Sequence, residues 1–555
     1  LTGKQHLSIG SQKHNGNAQE TTLTGSTLGS SAGDVSLKAG RELKVLASDL
    51  VSTQDMSLTA GNVTIAAGIE TAKQTSQDSS RSLAVGRVIG GMVVDTVQSI
   101  RNDVQAARKA DDDRLKAVKV AQAALSAYNL GAMGSGAAAN VSEGKPANSS
   151  GSLIKIGTEV ASTRSKSSSE YASQTAKQAT LISGDSLAIV ATGNAGSRGD
   201  IHVIGSRLKA DDSLLLAKRD LTLESAQNRK DWDNQNSTNR VSVGASFNIG
   251  QQNGFTIDLG AKTAKGMGTG HEVVQVNSTL DTGSLILKSG QDTTLAGAQV
   301  HAETLKAEIG GDLNIASRQD EASQNNRQTS GGFGGSICVP PICYGATVSG
   351  SANVAAGKTS SSYQAVTEQS GLFAGKGGYA IAVGNTTKLE GALIASEAAA
   401  GQNLLSTDRL IVSDLKNRSE IKSQAASLSA SYSSGGQQQN GSAVKADSGI
   451  GGGLPLALKE SEHSSTRSAV SAGSIVVRTP QGATDLTGLN RDTANANQRL
   501  DRPDEKAMQE RMDLIQSTVE LGKSALGTLA TAKQEAAKEA TEKAGKTQDP
   551  ADIQA

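Results

Sequence analysis

Few side chains in this sequence have a type and spacing that could do chemistry. The only cysteines, Cys338 and Cys343, bracket Pro340 and Pro341 in the stretch from Ser336 to Tyr344. Such a pair reads as a small disulfide-closed loop, and a disulfide implies an oxidising compartment. The alternative is two reduced thiols in a cytosolic protein. A metal site would need further ligands, and no histidine lies near in sequence. The six histidines are His6, His14, His202, His271, His301 and His463. None has metal-ligand spacing to another, and His202 and His301 fall in strand-like runs as surface residues. Asp211–Asp212 and Asp111–Asp113 are the only carboxylate clusters worth weighing as acid–base pairs. Polysaccharide-cleaving carboxylates need a set separation and an aromatic-lined groove. The sequence has one Trp, four Phe and six Tyr, too few for such a groove, and Asp111–Asp113 reads as a solvated helix face. Gly266-Met-Gly268-Thr-Gly270 lacks the Lys-Ser/Thr of a phosphate cradle and reads as a turn. Trp232 could anchor a partner, but packing over a neighbouring layer of the fold is the simpler reading. No residue is assigned a catalytic, cofactor-binding or metal role. Cys338 and Cys343 remain the one chemical feature.

The elements that would carry these residues repeat. Asn62-Val-Thr-Ile65, Asp220-Leu-Thr-Leu223, Asp312-Leu-Asn-Ile315 and Arg409-Leu-Ile-Val412 each end a run of similar strands, and each is followed by a polar stretch. The later intervals are close to a hundred residues, and the longer first one contains a helical insertion. A finer period lies inside each block. Leu285 and Leu287 recur as Leu305 and Ala307, Thr293 and Leu295 as Leu313 and Ile315, and Val35 and Leu37 as Met56 and Leu58. Apolar residues two apart share one face of a strand. A return after about twenty residues is one coil of a stacked array, whose turns bury a common core that none could bury alone. The expected fold is all-β: a right-handed parallel β-helix, or solenoid, with projecting β-hairpins, a helical insertion and a C-terminal helix. Roughly ten coils stacked about 4.8 Å apart would make a rod on the order of 50 Å long.

Composition agrees. Hydrophobic residues are 36% and aromatics 2%, which suits a narrow interior of Val, Leu, Ile and Ala better than a large globular core. Lys and Arg number 54, as do Asp and Glu, so nothing favours nucleic acid or an anionic membrane surface. The sequence opens on Leu1 rather than Met, which marks a piece of something longer. Residues 1–95 are expected to be a β-helical block. Residues 96–151 are expected to be a helical insertion, with Val97, Ile100, Val104, Leu115, Val118, Ala121 and Leu125 on one face, followed by a flexible linker over 131–151. Residues 152–484 are expected to be the main repeats, and 485–555 a transition segment with a helix from Pro503 onward. Small-residue strand runs at 241–259, 331–356, 424–434 and 447–458 read as hairpins or two-stranded ribbons.

The phrase Gly33-Asp-Val-Ser-Leu-Lys-Ala39, shortened as Gly311-Asp-Leu-Asn-Ile-Ala316, resembles the haemagglutinin repeats of large exoproteins secreted by two-partner systems in Gram-negative bacteria. The run 328–334 resembles that family's second repeat region. Leu489–Leu500 resembles the segment that closes this region in contact-dependent growth inhibition effectors. The resemblance covers nearly the whole chain. It implies a structural and target-engaging segment of a secreted or cell-surface protein, periplasmic until export is complete, that delivers a toxin into neighbouring cells. The implied partners are the outer-membrane transporter of the secretion system and the target cell's outer membrane or its surface proteins, with no nucleic acid bound by this segment. A host-cell adhesin is the second reading and a β-helix polysaccharide lyase the third. The ribbons carry few charges and weakly specified register. They, rather than the coils, are the elements expected to rearrange at a target membrane.

Overall fold

The twenty-residue recurrence is a pairing register. Leu285 and Leu287 lie beside Leu305 and Ala307 in parallel strands, Thr293 and Leu295 beside Leu313 and Ile315, and Val35 and Leu37 beside Met56 and Leu58. These pairings come from a computed structural model that describes residues 6–142, 152–193, 198–250, 252–436, 443, 446–479 and 486–547. Among them, parallel pairing builds two sheets, of fourteen and eight strands. A turn of the chain passes through the larger sheet in Ser278–Ser289 and through the smaller in Thr293–Ala296. The inward side chains of both sheets, such as Leu58, Ile65, Ile189, Leu215, Leu287 and Ile315, form one continuous buried core. Each such side chain contributes about 1.5–3 kcal/mol by leaving water. Nine strands in line in the larger sheet at ~4.8 Å spacing give a stack of about 38 Å, somewhat shorter than the expected rod.

The corners explain the Gly-Asp phrase. The Asp200 carboxylate accepts the Asp220 N–H at 3.3 Å, Asp220 accepts that of Asp292 at 3.2 Å, and Asp292 that of Asp312 at 2.8 Å. Asp312 in turn accepts the N–H of Thr386 at 2.9 Å. Each aspartate thus takes a backbone donor from the next turn. Arg219 bridges Asp200 and Asp220 and offsets their like charge. Gly205 and Gly297 follow strands of the smaller sheet at φ +51° and +72°. A Cβ at Gly205 would meet the Ala226 Cβ at 2.4 Å, so the corner needs glycine on both counts.

The expected hairpins are where the structure departs from the sequence reading. They are not separate projections. Nine long strands join in chain order into one antiparallel sheet: β1 His6–Thr21, β2 Gly68–Gly90, β3 Ser152–Lys177, β4 Ala226–Gly250, β5 Gln252–Val276, β6 Asp320–Gly345, β7 Val348–Ala365, β8 Leu415–Ser434 and β9 Asp447–Thr466. The chain is all-β, with two parallel sheets and one antiparallel sheet. The parallel sheet crosses from the 1–95 block into the 152–484 block, as where Asp49–Ser52 pairs with Thr180–Ser183.

Between β2 and β3 lie α1 Met92–Lys109 and α2 Asp113–Ser142. The helix runs on through residues 131–142, which the Gly and Ala content had suggested was linker; residues 143–151 and the 484/485 boundary lie outside the described residues. Leu115 of the expected apolar face is buried, but Val97 and Val104 are exposed, and α1 buries Ala107 instead. After Pro503, α3 spans Glu505–Thr547, with Asp504 accepting the Ala507 N–H at 2.9 Å as its cap. Met508 and Met512 are buried as the spacing predicts.

Candidate functional site

The antiparallel sheet has two unlike faces. Leu7, Val85, Val160, Val243 and Leu259 are register partners from β1 to β5. Ile257, Ile337 and Val348 continue across β5 to β7 in the neighbouring row. All eight are exposed. Ile89, Ile156, Phe247 and Phe255 form a further exposed row nearer the strand ends, and Phe247 meets Phe255 edge-on at 5.3 Å. A contiguous apolar surface of this extent is far larger than the scattered apolar residues of an ordinary protein exterior.

The alternate residues on the same strands face the other way and are polar or small. Ser246, Asn248, Gln252 and Thr256 are at most 3% exposed. Asn248 donates to Thr256 at 2.6 Å, Ser246 donates to Asp258 at 2.6 Å, and Asp258 pairs with Lys155 at 2.7 Å. Ser336 bridges Gln252 and Ser349, at 2.7 Å each. Hydrogen bonding within the layer is what makes this burial tolerable. One cavity of about 420 Å³ touches strands from β2 to β8. A flat sheet would spread seven strands over roughly 29 Å, so the sheet must curl around it. The result is a trough with a polar lining and an apolar outside.

Alternating glycines shape the lining. Gly266, Gly268 and Gly270, read as a turn in the sequence, lie in mid-strand of β5. A Cβ at these positions would meet the side chains of Asn236, Asn326 and Trp232 at 2.8, 2.7 and 2.0 Å respectively. Trp232 therefore packs across Gly270 of the adjacent strand rather than over a coil. The glycines are floor for their neighbours, which period-two spacing permits and a turn reading misses.

Cys338 and Cys343 lie on β6 opposite Thr256 and Gly254. They are buried and joined in the structure, with Cα atoms 5.5 Å apart. The histidines sit apart: His202 pairs with Glu224 at 2.8 Å, His271 with Asp231 at 2.6 Å, and His301 stacks on Phe373 at 4.6 Å. Among the described residues no group of three or more His, Cys, Asp or Glu could hold a metal ion. Asp211 and Asp212 are exposed on a parallel strand. Asp111–Asp113 form the junction of α1 and α2. The Arg114 guanidinium, bonded to Asp112 at 2.7 Å, holds the Asp112 carboxyl down to about 2, and Lys506 lowers that of Asp111.

The helices sit in the trough. α1 packs against β2 and β3, α3 against β8 and β9, and α2 lies between α1 and α3. Glu510 of α3 accepts the N–H groups of Asp111 and Asp112, both at 2.8 Å. No described helix is long and apolar enough to cross a membrane.

The repeats of this chain match those of known proteins. The model of the hemagglutinin repeat family matches residues 7–164 and 160–332, more than half of the chain. The chain belongs to the hemagglutinin-repeat family. Its curated relatives extend the likeness to nearly every residue. It is 34% identical over 95% of its length to deoxyribonuclease CdiA of Dickeya dadantii (strain 3937). It is 31% identical over 94% of its length to tRNA nuclease CdiA of Yersinia mollaretii. To deoxyribonuclease CdiA of Yersinia pseudotuberculosis serotype O:3 (strain YPIII) it is 34% identical over 96%. The chain spans 16%, 17% and 48% of those relatives' own lengths. No solved structure matches.

Proposed function

We propose that this hemagglutinin-repeat chain is the structural and target-engaging segment of a secreted exoprotein that delivers a toxin into neighbouring cells by contact-dependent growth inhibition. The observation that carries this reading is similarity to CdiA proteins over about nine-tenths of the chain. The two parallel sheets are two walls of a right-handed parallel β-helix, the stalk that holds the segment out from the producing cell. Catalysis lies outside this segment, and the nuclease activities in the relatives' names belong to other parts of such proteins. The partners are a two-partner outer-membrane transporter on the producing Gram-negative cell and the outer membrane, or its surface proteins, on the target. Secretion through the periplasm oxidises Cys338 and Cys343.

The trough is the part suited to the target membrane. Its apolar-out, polar-in alternation is that of membrane β-barrels. Val241–Ile249 rises about 30 Å at ~3.4 Å per residue, matching a hydrocarbon core of about 30 Å. Entry into lipid would require the edges at β1 and β9 to be paired or covered, since unpaired backbone groups are not tolerated there. Strands β2 to β8 already have both neighbours, so rearrangement falls to these two edges rather than to each ribbon. Deletion of residues 152–484 from the full-length protein is expected to abolish killing of target cells while surface attachment persists. Normal killing by that deletion would refute the delivery role. Binding to host cells without any effect on bacteria would favour the adhesin reading.

A further inference from the structure

The trough's two walls are tied together by helices, and the tie from α3 to the sheet is light. α1 of the α1–α2 hairpin packs against β2 and β3 at one wall. At the other, α3 is held to β9 by the Arg511–Glu460 ion pair and by Lys523, which donates to the Gly452 carbonyl at 3.2 Å. Glu505 accepts from Ser361 of β7 at 3.0 Å. The two halves meet through Glu510, the Gln122 donation to the Ser517 carbonyl at 2.9 Å, and Thr528 with Asn129 at 2.9 Å. The ties from α3 to β9 lie near the surface, where each adds little to stability, whereas Met508, Glu510, Met512 and Ser517 of α3 are buried. Beneath α3 the lining carries Gly266, Gly268 and Gly357, and a space of about 920 Å³ separates helix from sheet. A well-packed docking interface would fill such space with side chains. α3 therefore rests on the β8–β9 wall without filling the space beneath it.

We propose that α1, α2 and α3 form a releasable strap that spans the trough and keeps the β1 and β9 walls apart, and that undocking of α3 at the Glu510 clamp is the step that frees the walls to move. The strap deepens the membrane reading given above and rests on it for its purpose, though not for its existence. A weakly packed unit bridging two walls opens by itself, ahead of the sheet on which it lies. Glu510 is the point of control because one carboxylate satisfies two helix-terminal N–H groups across the joint between α3 and the hairpin.

The test is made in solution on the full 555-residue chain, without membranes. Ser423 of β8 lines the space under α3 and is buried, and Ser423→Cys serves as a reporter because the native cysteines are bonded to each other. Maleimide labelling of this reporter is expected to speed up tenfold or more when Glu510→Ala is added. Joining Gln122→Cys to Ser517→Cys with a short bifunctional maleimide should remove the rise in α3 amide exchange that Glu510→Ala produces. Hydrogen exchange should show α3 amides opening at least a hundredfold more often than those of β4 and β5. Equal labelling with and without Glu510→Ala, or α3 exchange only through global unfolding, would overturn the strap. If apolar-face substitutions leave membrane binding intact, the membrane reading fails while a measured opening still stands.

Discussion

At the scale of single residues, the chain's regularity rests on backbone donors captured from one turn to the next. Asp292 accepts from Asp312 and sits one turn above Asp220. Asp292→Ala is expected to cost about 1 kcal/mol, and Asp292→Asn much less because it keeps an acceptor. The check is the urea midpoint of the parallel stack at unchanged slope. Gly205 is a harder constraint, since φ is +51° and a side chain would strike Ala226. Gly205→Ala should cost about 1–3 kcal/mol, more than an alanine at any exposed strand position. The cysteine pair acts only locally. Closing so short a loop is worth about 2 kcal/mol at most by chain entropy. Cys338→Ser with Cys343→Ser should loosen amide protection near Thr256 and Gly254 and leave melting of the parallel stack unchanged. Thiol labelling of the denatured, unreduced secreted protein should find no free sulfhydryl.

At the scale of elements, the helix pattern was legible where it met the sheet and misleading where it did not. Met508 and Met512 are buried as their spacing predicted, whereas Val97 is exposed because α1 has no neighbour on that side. Burial raises the Asp513 carboxyl on α3, against smaller opposing effects of Gln509 and Lys119. A carboxyl raised in the folded state favours folding only while protonated, so its contribution falls away as the pH rises through the folded value. Asp513→Asn is therefore expected to hold α3 more firmly than the parent at pH 7. That advantage should vanish below about pH 4, where the parent's carboxyl is also protonated in the unfolded chain. Exchange rates of α3 amides at pH 7 and pH 3.5 provide the comparison. No difference at pH 7 would show that the carboxyl is well solvated in solution.

At the scale of the whole molecule, the decisive property is that the outside of the trough is apolar and its lining polar, the inverse of a water-soluble core. Val243 and Ile257 are exposed and touch no core. Val243→Lys and Ile257→Lys should leave thermal unfolding within about 0.5 kcal/mol of the parent. The same changes should reduce partition into lipid vesicles tenfold or more, since a lysine near a bilayer's midplane costs about 2–4 kcal/mol. Flotation with vesicles of outer-membrane lipid measures this. Unchanged flotation would refute the membrane-facing role of this surface.

The sequence by itself determined everything that depends on neighbours about twenty residues away. The parallel register at Leu285–Leu305 and Val35–Met56, the buried face of each strand and the start of α3 could all be read from spacing, because each follows from local periodicity and its stacked repetition. The alternation along Val241–Ile249 was equally visible. What it could not reveal was which face meets water. Small and apolar residues in alternation fit a ribbon, a core strand or a barrel wall alike, and the answer depends on partners such as Val160 and Val243, which pair although they are 83 residues apart in sequence. The mid-strand glycines were misread for the same reason: their need for space is set by Asn236, Asn326 and Trp232 on adjacent strands. Only the tertiary structure decided that nine strands from separate repeats would merge into one sheet, because strand edges pair with whatever edge the fold brings alongside and carry no address in the sequence.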